Sequence, residues 1–488
     1  MKKFVKAVLL TTVLSIITRG LGLIIKIYIS RIIGAEALGY YQISLSVFFL
    51  LCTLVTSGIP LVISRMIAKS PKKQSKIVFA GLILSSTIAV VVCLFIILFP
   101  QIFIHFWAQT ESLGVLYQLL PAVVFTAIYV PFRGALWGQK DFFMLGFTEL
   151  IEQIFRFVCC FICFSLAISL SGAEIAGLTY SLACGLSSIF AIAVYFIKGG
   201  KIKPNLKLIK PLLFESSPIA ILRIGSSVVS LIISLILPTI MVKNGFTQSE
   251  AIGAFGVVTG MVMPLLTISG TLISSISVAL IPELSGSNEY FVKRQINLAI
   301  SYSLIISFLL LPTFWAIGKP IGILLFNDSL SGELLSAGSV ILIPLGVSQI
   351  SSSILNAINK EKFGLFSYSA GAGFMLLSII FLPKFIGIYS LLAGFLLMSI
   401  ITSFLNLLAI KKYLDATALK TFFCSIIYAI PSTFFAKWTY ALMHTFFNEI
   451  ISLSVSTALS VGCLFVLYQT FKFINILDFI PKKLISHA

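Results

Sequence analysis

Charge is scarce in this chain, and acidic charge most of all. Of 488 residues only 10% are charged, with 16 Asp and Glu against 34 Lys and Arg. A soluble globule carries about one quarter charged residues, so a large soluble domain is excluded. Histidine is almost missing: His105, His444 and His487 stand far apart. No GxxxxGK(S/T) phosphate loop occurs, which excludes nucleotide hydrolysis by that route. No HExxH, GxSxG or paired-carboxylate loop is present either. The expected loops opposite the lysine-rich side run only about 5–17 residues. A polytopic glycosyltransferase, ligase or polymerase needs an acid or base on a larger loop. These absences point away from enzymatic chemistry and from any cofactor. Uphill movement of a cargo would then draw on an ion gradient, the membrane potential or substrate supply.

What is present is apolar: 59% of the residues, with a mean hydropathy of +1.10. Windows of about 20 apolar residues recur fourteen times, at 8–29, 40–64, 77–99, 113–136, 143–169, 175–197, 214–241, 251–281, 295–316, 334–357, 363–383, 386–409, 419–441 and 449–470. Each is long enough to cross a bilayer as a helix. The chain reads as an all-α polytopic membrane protein with about fourteen transmembrane helices. Met1-Lys2-Lys3 superficially resembles a signal peptide, but Arg19 interrupts the apolar run and no small-x-small site follows. The segment is read as an uncleaved first span. All eight cysteines fall inside apolar segments, and Cys160-Phe-Ile-Cys163 lacks the polar flanks and second pair of a metal site. They read as small packing residues.

The net charge of +18 suggests nucleic acid, but the cations sit in short loops without a Gly/Arg tract or basic aromatic platform, so a nucleic-acid partner is set aside. Their distribution follows the positive-inside rule. One side receives 24 Lys and Arg, among them Arg65 to Lys76, Lys198 to Lys210 and Lys411 to Lys420; the other receives five, Arg31, Lys243, Lys319, Lys384 and Lys437. The alternation holds across all fourteen spans. Both termini are expected on the cytoplasmic side of the cell membrane.

The chain also repeats itself. Glu36-Ala-Leu-Gly39-Tyr-Tyr41 opens the second span and Glu250-Ala-Ile-Gly253-Ala-Phe255 opens the eighth, 214 residues on. Gln139-Lys-Asp-Phe-Phe143 follows the fourth span and Asn359-Lys-Glu-Lys-Phe363 the tenth, at an offset of 220. Two homologous six-span lobes are expected, 1–197 and 213–410, with a basic cytoplasmic linker at 198–212 and two further spans plus a tail in 411–488. Six is even, so the lobes share one orientation. Parallel repeats of this kind build transporters with the substrate site between the halves.

Charges within spans are few, so each carries information. Arg19 lies near the middle of the first span, with Lys26 behind it. A charge at that depth costs roughly 2.5–3.5 kcal/mol on insertion scales. Arg19 either meets an anionic ligand in a hydrated space or pairs with a carboxylate on another helix. Glu149, Glu152 and Arg156 are spaced i, i+3, i+7 and share a helical face. Glu152 and Arg156 can neutralise each other or line a cavity. Arg223 occupies the comparable first span of the second half, and no acidic residue stands three or four positions from it or from Arg19. Arg is suited to an anion because its planar fork grips phosphate or carboxylate oxygens bidentately. Arg133, near the cytoplasmic end of span 4, either snorkels to the interface or touches substrate. The candidate substrate-binding set is Arg19, Lys26, Arg133, Glu152, Arg156 and Arg223, with no catalytic or metal site. The basic lining and apolar walls suit an amphiphile with an anionic head. Pro121 and Pro344 fall in corresponding spans 4 and 10, where they either permit bending or serve packing.

Thr18-Arg-Gly-Leu-Gly22, Ser30-Arg-Ile-Ile-Gly34, Glu36, Gly39-Tyr40, Gly58-Ile-Pro60 and Ile63-Ser64 form an ordered set. It continues through Arg133-Gly134, Gly138-Gln139-Lys140, Glu152-Gln153 and Arg156, then Gly260, Leu265-Leu266-Thr267, Ser277 and Ala279-Leu280-Ile281-Pro282. This set resembles the stage V sporulation protein B family, polysaccharide and lipid-linked precursor exporters of the multidrug/oligosaccharidyl-lipid/polysaccharide superfamily. The resemblance implies a fourteen-helix, two-lobed flippase fold with a central cavity. It implies an undecaprenyl-pyrophosphate-linked sugar as cargo, such as lipid II, moved outward for spore cortex peptidoglycan, with cell-wall polymerases as possible partners. Related lipid II flippases use cavity arginines in the first two spans and in span 8. Arg19 matches one of them; Lys26 stands about one residue out of step with a second; span 8 carries no arginine. The competing readings are a cation-coupled multidrug exporter of the same superfamily and a non-transporting scaffold for a wall-synthesis complex.

Overall fold

The computed structural model describes residues 2–101, 110–166, 169–274 and 289–470. Among these, regular structure is helical throughout and no strand occurs. Twelve helical stretches among them are long and apolar enough to cross a membrane by length and composition. In a bilayer a helix satisfies its own backbone, and the chain is a multi-pass membrane protein of helices. It divides by packing into two compact units, residues 1–260 and 261–488. Ser277, the 279–282 motif, His105, His487, Lys472, Lys482 and Lys483 lie outside the described residues.

The first unit comprises α1 (Lys2–Thr56), α2 (Ile59–Lys69), α3 (Gln74–Leu98), α4 (Thr110–Gly138), α5 (Phe142–Ser165), α6 (Gly172–Ile197), α7 (Ile209–Lys243) and α8 (Gln248–Gly256). α1 runs through the first expected span and most of the second, broken at Gly34 (φ 77°, ψ 178°), a backbone that a side chain disfavours. The span expected at 40–64 is not one helix. Gly58 (φ 79°) interrupts it, and Pro60 then stands at the start of α2, where a missing N–H costs nothing. A Cβ on Gly58 would also lie 2.6 Å from the Ser216 carbonyl oxygen of α7, so the break doubles as a close approach. α5 is 24 residues long, but its three charges set it apart from the twelve stretches. Its N-cap is Asp141, which accepts from Met144 N at 3.1 Å. α6 and α8 each open with a capping box, Ser171 with Glu174 and Thr247 with Glu250. The box satisfies two orphan N–H groups reciprocally.

The two copies of the Glu-Ala-x-Gly motif pack on each other inside this unit. A Cβ on Gly39 of α1 would sit 2.2 Å from the Ile252 carbonyl oxygen, and one on Gly256 of α8 2.5 Å from the Ala35 carbonyl oxygen. Glu36 Oε2 accepts from Ser249 Oγ at 2.6 Å across the same contact. Small residues let helix backbones meet this closely in a membrane. Beyond Gly256 the helix widens into a π-helical stretch, Val257–Val262, a form that recurs at functional sites.

The second unit holds α9 (Glu289–Phe326), α10 (Ser329–Gly338), α11 (Leu342–Ala357), α12 (Glu361–Phe381), α13 (Tyr389–Ala409), α14 (Ala416–His444) and α15 (Glu449–Thr470). α9 has 38 residues, about 57 Å at helical rise, far more than the expected span at 295–316. It extends through most of the loop expected after residue 316 and kinks at Ile317 (φ −127°, ψ 23°). The final two helices pack on α9 through buried hydroxyls, Thr313 to Ser460 and Thr421 to Ser301, each at 3.2 Å, and on each other through Tyr468 to Ser425 at 2.6 Å. All eight cysteines are free thiols.

Candidate functional site

Three helices of the first unit converge on Arg156. α1 and α5 run side by side in the same direction. Leu14 meets Gly146, where a Cβ would lie 3.1 Å from the Leu14 side chain, and Gly22 meets Gln153, at 3.5 Å from Oε1. Tyr28 meets Phe161, with ring centroids 6.5 Å apart. The residue offset stays nearly constant, which fixes the register. Arg19, Gly22 and Lys26 are spaced i, i+3, i+7 and share one stripe of α1. Gly22 turns that stripe toward Gln153. Lys26 stands a turn further on along α1, and Arg156 a turn beyond Gln153 along α5, so the register sets the two cations at the same level of the helix pair.

Arg156 is held on two sides. Its guanidinium donates to Glu152 Oε1 at 3.1 Å, and its Cζ lies 3.9 Å from the ring centre of Tyr180 on α6. Cation–π contacts of this kind are worth about 2 kcal/mol or more when desolvated. A third direction stays open. Arg156 Nε is buried without a hydrogen-bond partner, and so is Gln153 Oε1. Tyr41, buried on α1, also lies within electrostatic reach of Arg156. Arg156 is therefore a packed cation with one carboxylate committed and one buried donor left over.

Arg133 and Glu149 form a separate pair. Arg133 Nη2 of α4 bonds Glu149 Oε1 of α5, and beside it Tyr129 donates to Thr148 Oγ1 at 3.2 Å. The sequence offered snorkelling or substrate contact for Arg133; among the described residues it pairs with Glu149 on the neighbouring helix. Both carboxylates of the α5 stripe are thus bonded to arginines. Lys26 has no carboxylate within ion-pair distance among the described residues. Arg19 is exposed on its stripe.

Arg223 lies elsewhere in the same unit. On α7, Ser216 approaches Gly58 and Ser227 bonds Thr53 at 2.9 Å. Arg223 is seven residues after the first and four before the second, so it shares the stripe facing α1 and α2. Among the described residues no hydrogen bond or ion pair joins it to Lys26, Glu152 or Arg156. The sequence reading missed Tyr180, Tyr41 and Gly22. An aromatic in an apolar span has no signature of its own, whereas the i, i+3 relation of Arg19 to Gly22 was available.

Residues 4–288 match the family described as "Polysaccharide biosynthesis protein". Stage V sporulation protein B of Bacillus subtilis (strain 168) is 24% identical over 308 residues, 59% of this chain and 59% of that protein. The matched region therefore spans about three fifths of the length of that curated relative. The solved structure of "Lipid II flippase MurJ, inward closed conformation" is similar with TM-score 0.72 at 15% identity, covering 95% of this chain and 98% of that one. An inward-facing multidrug resistance transporter of the MATE family in the MOP superfamily is similar with TM-score 0.66 at 15% identity, covering 82% and 95%. At such identities the likeness establishes a shared fold.

Proposed function

The chain belongs to the polysaccharide biosynthesis protein family, and from that premise we propose that it is a flippase for a polyprenyl-pyrophosphate-linked cell-wall precursor. The cargo class is lipid II or another lipid-linked oligosaccharide, moved outward by alternating access in the cell membrane, with spore cortex synthesis as its setting. The observation that carries the reading is the stripe of Arg19, Gly22 and Lys26 on α1, which faces α5 at Gln153, one turn from Arg156 with its single bonded carboxylate, Glu152. A cation in a low-dielectric setting with no carboxylate at ion-pair distance among the described residues, as at Lys26, calls for an anion. A pyrophosphate offers the charge and the oxygens, and the apolar walls suit a polyprenyl tail. Arg19 extends the stripe by two turns, and Arg223 offers a later contact from α7.

The same proposal includes the topology. About fourteen crossings are proposed, and the twelve spanning stretches support that count if α5 is added and the first stretch is divided at Gly34. The loop lysines support a topology with both termini in the cytoplasm. Six-span lobes at 1–197 and 213–410, the linker at 198–212, ion coupling and contact with wall polymerases remain part of this reading. The multidrug exporter alternative draws on the likeness of fold. A lining rich in arginine and lysine counts against cationic drugs.

Purified protein in liposomes with labelled lipid II provides the test. Outward movement is expected, and Arg19→Ala and Lys26→Met each abolish it while expression stays intact. Drug efflux without lipid movement would replace this reading with the exporter.

A further inference from the structure

The linker between α6 and α7 is built into the first unit at several points. Tyr195 OH donates to the Lys201 carbonyl oxygen at 2.9 Å. Lys203 N donates to the Ser75 carbonyl oxygen at 3.3 Å, so the linker crosses the start of α3. Asn205 Oδ1 accepts from Lys207 N at 3.1 Å and opens the short turn Leu206–Leu208, which packs against α3 and α7. Leu208 then joins the buried cluster around Ile67, Ile77 and Tyr195. At the other end Lys198 pairs with Asp141.

This pinning gathers charge of one sign. Lys201, Lys203, Lys207 and Lys210 lie beside Lys72, Lys73 and Lys76 of the α2–α3 turn, and all seven are exposed. Asp141, the carboxylate at this end of α5, is taken by Lys198. Among the described residues none of the seven has a carboxylate within ion-pair distance. Among and just after the lysines stand outward apolar side chains: Ile202 is 37% exposed, Leu206 66% and, at the start of α7, Phe214 66%. The segment lies at the ends of spanning helices, at the level where a bilayer presents its headgroups. Lysines alternating with exposed Leu and Ile, at that level, form an interfacial amphipathic segment.

We infer that this linker is a docking strap for anionic phospholipid headgroups of the facing leaflet. Headgroup phosphates meet the seven lysines, and Ile202, Leu206 and Phe214 reach the acyl boundary. Lysine placement that only directs insertion requires neither the pinned backbone nor the outward apolar residues. The inference holds whatever cargo the protein carries.

The test uses the full-length protein in phosphatidylcholine nanodiscs with and without phosphatidylglycerol. Amide hydrogen exchange over residues 200–208 and the phosphatidylglycerol retained per protein, by native mass spectrometry, are the readouts. Phosphatidylglycerol slows exchange of the linker amides in the wild type, and the protection fades as salt is raised. The triple variant Lys201→Gln, Lys203→Gln, Lys207→Gln loses about fivefold in lipid preference per lysine, on the order of a hundredfold together. An equal charge removal elsewhere, Lys293→Gln, Lys362→Gln, Lys411→Gln, leaves linker protection intact. Leu206→Ser, which changes no charge, weakens protection in the same nanodiscs. Equal linker exchange with and without phosphatidylglycerol, or equal lipid loss in the two triple variants, overturns the strap. So does retention of a polyprenyl phosphate in place of phosphatidylglycerol by the same lysines.

Discussion

The helices of the first unit carry Arg19, Lys26, Arg133, Glu149, Glu152, Arg156 and Arg223 within their expected spans, whereas the buried polar side chains described in the second unit are hydroxyls and amides. Ser456 and Ser425 donate to the carbonyls of Ser452 and Thr421 one turn back, each at 2.6 Å. Asn406 of α13 reaches Ser351 at 3.1 Å and Ser352 at 3.0 Å on α11. A hydroxyl can satisfy itself on its own helix and join neighbours without calling for a ligand. A guanidinium cannot: its charge persists and its five donors exceed what one carboxylate accepts. On the proposed function, the contrast gives recognition of an anion to the first unit and helix cohesion to the polar seam of the second.

The largest expected effect breaks the contrast at backbone level. Gly39→Ala drives a methyl into the Ile252 carbonyl oxygen at 2.2 Å, and because backbone cannot rotate away the cost lies above the roughly 1–3 kcal/mol typical of overpacking. Gly346→Ala in the second unit meets Ser307 Oγ, also at 2.2 Å, but a hydroxyl can rotate away. Thermal unfolding in detergent should show Gly39→Ala far less stable than Gly346→Ala; equal shifts would mean the crossing can slide apart.

Next comes Arg156→Ala, which leaves Glu152 in place without its partner. Breaking a buried pair costs about 3–5 kcal/mol, and with both side chains still partly exposed the lower end is expected. The double variant Arg156→Gln, Glu152→Gln should recover most of that stability in the same melts yet fail to move lipid. Recovery of transport along with stability would reduce Arg156 to a structural residue. Arg133→Gln should change stability by less than about 1 kcal/mol, since its pair with Glu149 is more than one third exposed on the arginine side, and should leave transport close to wild type. Asn406→Leu has the smallest effect. Its Oδ1 is already buried without a partner, so removing the amide should cost no more than about 1 kcal/mol.

Most helices were legible because a spanning helix needs a long apolar run, and those runs fell within a few residues of the helices found. The departures came where local chemistry overrides hydropathy. Gly58 and Pro60 break an apolar run without making it polar, α9 outruns the bilayer through Ile317, and the π-helical stretch after Gly256 has no compositional mark. For the site, the spacing of Glu149, Glu152 and Arg156 foretold both a shared face and the Glu152–Arg156 bond, since i, i+4 neighbours meet on any helix. Arg133 and Glu149 stand 16 positions apart, and only the packing of α4 on α5 joins them. Tyr180 became a partner of Arg156 through the same kind of tertiary contact.

The most direct measurement compares outward translocation of labelled lipid II by wild-type, Lys26→Met and Asn406→Leu proteins in liposomes, alongside their unfolding temperatures. The account predicts that Lys26→Met loses at least about tenfold in rate, equivalent to about 1.4 kcal/mol, with an unchanged unfolding temperature, while Asn406→Leu transports normally. Normal translocation by Lys26→Met, or its loss in Asn406→Leu with stability intact, would contradict it.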